Sequence, residues 1–206
     1  MWKKITGAGA GALVALVVTA GCSSNDSGSE HPAEHSASAS ATASPAAPSA
    51  EAHNDADVTF AQQMIPHHTQ AVEMSDTLLA KQGIDPRVIE LANQIKAAQG
   101  PEIQQMQGWL TQWGTPSMPP MSGHGDMPRM SGMMSEQDMS ALKDAQGGDA
   151  GKLFLTQMIA HHEGAITMAQ SEIKDGQYPP AVEMARAIVT TQQQEIDTMK
   201  GILGSL

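Results

Sequence analysis

The chain is 206 residues long, and its 11 Lys and Arg face 22 Asp and Glu, for a formal net charge of −11. That balance excludes a nucleic-acid binder, which needs a basic face to neutralise phosphates. The single cysteine, Cys22, excludes an intrachain disulfide framework and any multi-thiolate metal site, so a soft metal would have to be held by thioether and imidazole.

At the N-terminus, Lys3 and Lys4 precede an apolar run from Ala8 to Ala20, and Thr19-Ala20-Gly21-Cys22 closes it. The run is shorter than the about 20 residues that a membrane span needs. The closing tetrapeptide resembles a bacterial lipobox. Residues 1–21 are therefore expected to be a lipoprotein signal peptide and Cys22 the lipidated residue, anchoring the protein to the membrane with its domain outside the cytoplasm. Residues 22–54 are rich in Ser, Ala and Pro with almost no bulky apolar side chain, the composition of a disordered tether. His31, His35 and His53 in it could add weak Cu(II) sites. Residues 55–206, about 150 in all, suffice for one domain with a real core.

A first helix is expected near 57–81. Phe60, Met64, His67, Ala71 and Met74 recur with the spacing of one helix face, Asp55 or Asp57 can cap it, and Gly83-Ile84-Asp85-Pro86 ends it. Pro66 should remove one backbone bond and bend it locally. A second helix, near 86–112, turns Val88, Leu91, Ile95, Met106 and Leu110 inward, with Gly100-Pro101 inside it as a second point of strain. These two elements, 57–112, form a helical hairpin.

The connection 114–148 carries Met118, Met121, His124, Met127, Met130 and Met133 at every third position, then Met134 and Met139. The Gly, Pro and Ser between them argue against a packed helix. A flexible loop with exchangeable Cu(I) or Ag(I) sites, weaker than those of the helices, is the expectation. Helices near 150–175 and 180–203 then make a second hairpin, 150–203.

The second hairpin repeats the first. Phe60/Phe154, Met64/Met158, Ile65/Ile159, His67/His161, His68/His162, Ala71/Ala165 and Met74/Met168 match at one spacing. Leu91/Met184, Ala92/Ala185, Ile95/Ile188, Gln99/Gln192, Glu102/Glu195, Ile103/Ile196 and Met106/Met199 match at a spacing one residue shorter. A repeat of this kind marks a duplicated structural unit. With no strand-like alternation, the fold expected is all-α, two helical hairpins packed as a four-helix bundle. The long connection leaves ferritin-like and simple up-down topologies both open.

Methionine at helical spacing usually fills a core. Adjacent imidazoles on a buried seam are different, because burying them without partners is costly, and this chain places such a pair in each repeat. Met64 lies three residues before His67 and four before His68, so the three side chains can converge on one patch. Pairing each hairpin about its turn sets His67 level with Gln99 and Met64 level with Glu102. Each hairpin is thus expected to carry its own Met-His-His cluster facing a Gln and a Glu, with Gln99, Glu102, Gln192 and Glu195 orienting the imidazoles. Met74 and Met106 extend the stripe.

The pattern Phe-x-x-x-Met-Ile-x-His-His-x-x-Ala-x-x-Met, followed by Ala-x-x-Ile-x-x-x-Gln-x-x-Glu-Ile-x-x-Met, resembles the domain-of-unknown-function family 305, as does Gly132-Met133-Met134-Ser135. The resemblance spans about residues 55–203. It implies a ferritin-like four-helix bundle in an exported bacterial protein, and copper binding through Met and His in support of copper resistance. The positions it implies as ligands are Met64, His67, His68, Met74, Met106, Met158, His161, His162, Met168 and Met199. Pro66 against Ala160 departs from the repeat and leaves the two sites unequal.

Other functions fit less well. A di-iron oxidase needs Glu-x-x-His motifs, but Met64, Ile65, Met158 and Ile159 stand three residues before the four histidines. A haem protein would need aromatic packing that a chain with 3% aromatic residues hardly supplies. No nucleophile constellation is present, so no catalytic residue is expected. A metal-free envelope interaction module is the remaining alternative.

Overall fold

The computed structural model describes residues 52–116 and 130–206. The expected signal peptide, Cys22, His31, His35, and Met118, Met121, His124 and Met127 lie outside these residues. Five helices are present: α1 (Asp55–Leu79), α2 (Pro86–Gln112), α3 (Glu136–Asp144), α4 (Gly147–Asp175) and α5 (Pro179–Leu203). There is no strand among the described residues. None of these helices is long and apolar enough to cross a membrane.

The boundaries follow from local chemistry. Asn54, rather than Asp55 or Asp57, caps α1; its side chain accepts the amides of Ala56 and Asp57, and Asp57 returns a bond to the Asn54 amide. This reciprocal box satisfies donors that a bare helix start leaves open. Asp85 caps α2 with Pro86 at its first position, where a missing amide costs nothing. Both α1 and α2 run continuously through their internal prolines, Pro66 and Pro101.

Helix α3 lies inside the connection expected to be a loop. Ser135 and Asp138 form a second capping box, and Leu142 is fully buried. Gln157 of α4 donates to the Asp138 carbonyl, and Lys81 donates to the carbonyls of Lys143 and Ala145 at the end of α3. Met134 and Met139 pack against the core instead of standing free. The Gly- and Pro-rich composition obscured this turn of helix because its stability is tertiary, not intrinsic.

Pairing is strongest within the hairpins α1/α2 and α4/α5, which meet mainly through α1 and α4. The start of α1 touches the end of α4, where Asn54 donates to the Asp175 carbonyl. Arg87 at the start of α2 reaches Ser205 just beyond α5. Helices α1 and α4 are therefore antiparallel, as are α2 and α5, and the connection from α2 must travel the length of the bundle before α4 begins. One such crossover is the ferritin-like arrangement. An approximate two-fold axis relates the hairpins.

The crossover is fastened to the inner pair of helices. Gln70 donates to the Met134 carbonyl and accepts the Met134 amide. On the other side, Gly132 (φ +79°) lies on the α4 backbone, where a Cβ would sit 2.7 Å from the Ala160 carbonyl oxygen and 2.9 Å from Gly164. A side chain on Gly164 would in turn overlap Ser131. Two glycines thus allow backbone-to-backbone approach. Gly164→Ala should lower stability in denaturant unfolding by about 1–3 kcal/mol, the usual cost of overpacking. Gly108→Ala on α2, where nothing stands in the way, should raise it by about 0.5–1 kcal/mol. Equal effects at the two sites would refute the close packing.

Candidate metal centre

All four histidines of the repeat are fully buried, as are Met64, Met74, Met106, Met158 and Met199. The expected grouping by hairpin holds for His68 and His162 but not for His67 and His161. The seam residues His67 and His161 face each other across the α1/α4 contact, with ring centroids 3.7 Å apart and planes tilted by 38°. It is the flanking residues that meet the carboxylates: His68 Nε2 lies 2.8 Å from Glu102 Oε2, and His162 Nε2 lies 2.6 Å from Glu195 Oε2. The turn arithmetic set Met64, not His68, level with Glu102, so the two helices of each hairpin are shifted by about one helical turn from that expectation.

The methionines divide in a way the linear repeat conceals. Met64 and Met106 share one core cluster with Met184 and the half-buried Met168 of the other hairpin. Met158 and Met199 share the second cluster with Met74 of the first hairpin. Each thioether cluster therefore draws members from both hairpins. Between the two clusters lies a polar layer of His67, His68, His161, His162, Gln99 and Gln192.

The hydrogen bonds fix the tautomers. His67 Nε2 lies 3.1 Å from the Ser131 carbonyl. Carbonyl and carboxylate oxygens only accept, so Nε2 of His67, His68 and His162 carries the proton. In the neutral ring Nδ1 is then a bare lone pair, and Nδ1 of all three is buried without a partner. Neither ring nitrogen of His161 has a partner either, and Gln99 and Gln192 also hold unpaired amide atoms. Each such atom costs about 1–3 kcal/mol. A layer of orphaned imidazole nitrogens between thioether clusters fits a soft metal ion, which would satisfy them.

Burial, then the neighbouring His68 and His162 outweighing the Ser131 carbonyl, lowers the His67 pKa to about 3. Burial and the imidazoles of His67, His162 and His68 hold His161 well below its ordinary range. Both rings are therefore neutral, the form that binds metal. Among the described residues no three His, Cys, Asp or Glu side chains converge into a cage. Any ion bound here needs methionine donors or separate imidazoles, which disfavours hard cations.

Sequence reasoning missed the Ser131 carbonyl, although Gly132-Met133-Met134-Ser135 marked its neighbourhood. A usable signal was Gly164, which stands where the first repeat has Gln70. Met130, Met133, Met134 and Met139, half-buried, line an open pocket of about 940 Å³ beside α1 and α3. A second polar pair was also missed. Burial pushes Asp57 upward, but bonds from Asn54, Glu172 and the amides of Tyr178 and Gln177 hold it below the usual carboxylate range. Burial and then Asp57 raise Glu172 to about 8.

Two repeated hairpins, one crossover and a buried imidazole–thioether centre define a ferritin-like four-helix bundle with soft donors at its middle. The family model "Domain of unknown function (DUF305)" matches residues 57–203, and the chain belongs to that family. Among solved structures, a DUF305 fragment from Deinococcus radiodurans is 35% identical, with a TM-score of 0.65 over 74% of this chain and 98% of that one. A putative secreted DUF305 protein from Streptomyces coelicolor is 32% identical, with a TM-score of 0.66 over 73% and 91%. CopM in its Cu(II)-bound form is 30% identical, with a TM-score of 0.63 over 72% and 96%, and CopM is also solved with Cu(I) and with Ag bound. No curated protein matches the chain.

The titrating groups predict a stability maximum for the metal-stripped protein. As pH falls below 6.5, the ordinary histidine value, the unfolded chain protonates His67 and His161 while the folded chain does not, so stability drops. As pH rises from 4.5 toward 8, folded Glu172 keeps a proton that the unfolded chain has released, so stability drops in that direction. Two imidazoles outweigh one carboxyl below 6.5, at about 1.4 kcal/mol per proton and pH unit. Thermal unfolding should therefore peak near pH 6.5, and Glu172→Gln should remove the alkaline decline. Stability that keeps rising to pH 8 would contradict it.

Proposed function

We propose that this protein is an exported, lipid-anchored copper binder that sequesters or buffers Cu(I), and Ag(I) equally, through methionine and histidine, and so supports copper tolerance. The observation that carries the reading is the layer of four buried imidazoles with unpaired ring nitrogens between two methionine-containing clusters. The copper- and silver-bound forms of the related CopM support it. Its role is binding, with no catalytic step.

The helices hold the donors near one another before metal arrives, so the bundle gives up little conformational entropy on binding. The His67 pKa of about 3 removes proton competition down to acid pH. Met118, Met121, His124, Met127, Met130, Met133 and Met134 form a second tier, weaker because thioether alone is a weaker donor than imidazole. Gln99, Glu102, Gln192 and Glu195 orient the imidazoles.

Anaerobic Cu(I) titration against a chelator of known affinity tests the two tiers. Replacing His67, His68, His161 and His162 by Ala should abolish tight binding and leave the weaker sites. Replacing Met118, Met121, His124 and Met127 by Ser should lower stoichiometry without weakening the tightest site. A quadruple variant with wild-type affinity would reduce the bundle to a scaffold. The anchor has its own test: Cys22→Ser should release the protein from membranes, and continued membrane fractionation would point instead to an uncleaved N-terminal helix.

A further inference from the structure

We propose that the crevice between α2 and α5 is the port through which soft metal ions reach the buried imidazoles. The proposal rests on the copper-binding reading and adds a route to it. The crevice lies close to the two-fold axis, because all its lining residues except Ile188 come in repeat-matched pairs: Ala98 and Thr191, Gln99 and Gln192, Glu102 and Glu195. The other sides of the imidazole layer are closed. The apolar clusters cover it above and below, and the Ser131–Gly132 backbone is pressed onto α4 opposite.

At the crevice, solvent reaches the layer through carboxylates. The Glu102 and Glu195 side chains are 25% and 13% exposed, whereas their partners His68 and His162 are sealed. Behind them stand Gln99, 2% exposed with both amide atoms unpaired, and Gln192, with its amide oxygen unpaired. Buried carboxamides without partners, lining the crevice, supply the second observation that two acidic residues alone would lack. A cation meets donors of increasing softness: carboxylate oxygen, amide oxygen, then imidazole nitrogen. The space is about 10 Å³, room for no more than one water. Ions therefore pass singly, stripped of hydration, when Glu102 or Glu195 swings from its histidine. The carboxylates also steer cations electrostatically, so loading slows with salt.

The test delivers Ag(I) from a chromophoric chelator to the full chain in a stopped-flow instrument. The bundle phase is the one abolished by His67→Ala/His161→Ala. Plugging the mouth with Ala98→Leu/Thr191→Leu should slow that phase at least about tenfold, with final stoichiometry and affinity unchanged. Glu102→Gln/Glu195→Gln, which preserves shape, should slow it and flatten its salt dependence. Wild-type loading rates in both variants would overturn the port, as would slowing confined to a Met133→Ala/Met134→Ala variant on the opposite face. Absence of any histidine-dependent phase in the unmodified protein would instead refute the copper-binding reading itself.

Discussion

Four imidazoles are buried where a helical bundle would ordinarily place leucine, and the rest of the architecture accommodates them. His67 and His161 touch at the axis, which requires α1 and α4 to be the inner pair. Their flanking neighbours then fall beside α2 and α5, where Glu102 and Glu195 supply acceptors. The unpaired nitrogens subtract from stability at about 1–3 kcal/mol each. The two apolar clusters, with Phe154, Leu78, Ile95, Ile188 and six methionines among their members, offset that cost. A bundle whose only task was to fold would not retain this layer.

The two halves are alike at the centre and different around it. Gln70 grips the crossover through both its amide groups, while Gly164, its counterpart, yields space so that the same segment can lie flat. At the far end, the Asp57–Glu172 pair occupies positions that the other repeat fills with Gly151 and Leu78. Polar chemistry at one end ties α1 to the α4/α5 turn, through amides of Gln177 and Tyr178. Apolar packing does the equivalent work at the other.

Much of the fold was legible because amphipathic periodicity and the Pro and Gly punctuation are local signals. The four long helices begin and end within about three residues of expectation. The buried side chains include every histidine that the repeat singled out. What the sequence withheld was partnership. Periodicity tells which side of a helix faces inward but not which helix it meets there, so Met74 and Met168 were assigned to their own hairpins and lie in the other hairpin's cluster in the structure. Helix α3 was missed because Leu142 is its one fully buried residue. The Ser131 carbonyl and the Asp57–Glu172 contact lie far from their partners along the chain, and no local pattern announces them.

The pairing of His67 with its own image has a consequence for descent. Two separate copies of one hairpin, associating about a two-fold axis, would assemble the same facing imidazoles and the same pair of thioether clusters. Joining them into one polypeptide adds nothing to that symmetric middle. It does permit the copies to diverge: a glutamine on one face and a glycine on the other give the crossover a single orientation, which a homodimer could not specify. The duplicated gene thus inherited its centre and acquired its sidedness, and the residues that break the repeat record what fusion made available.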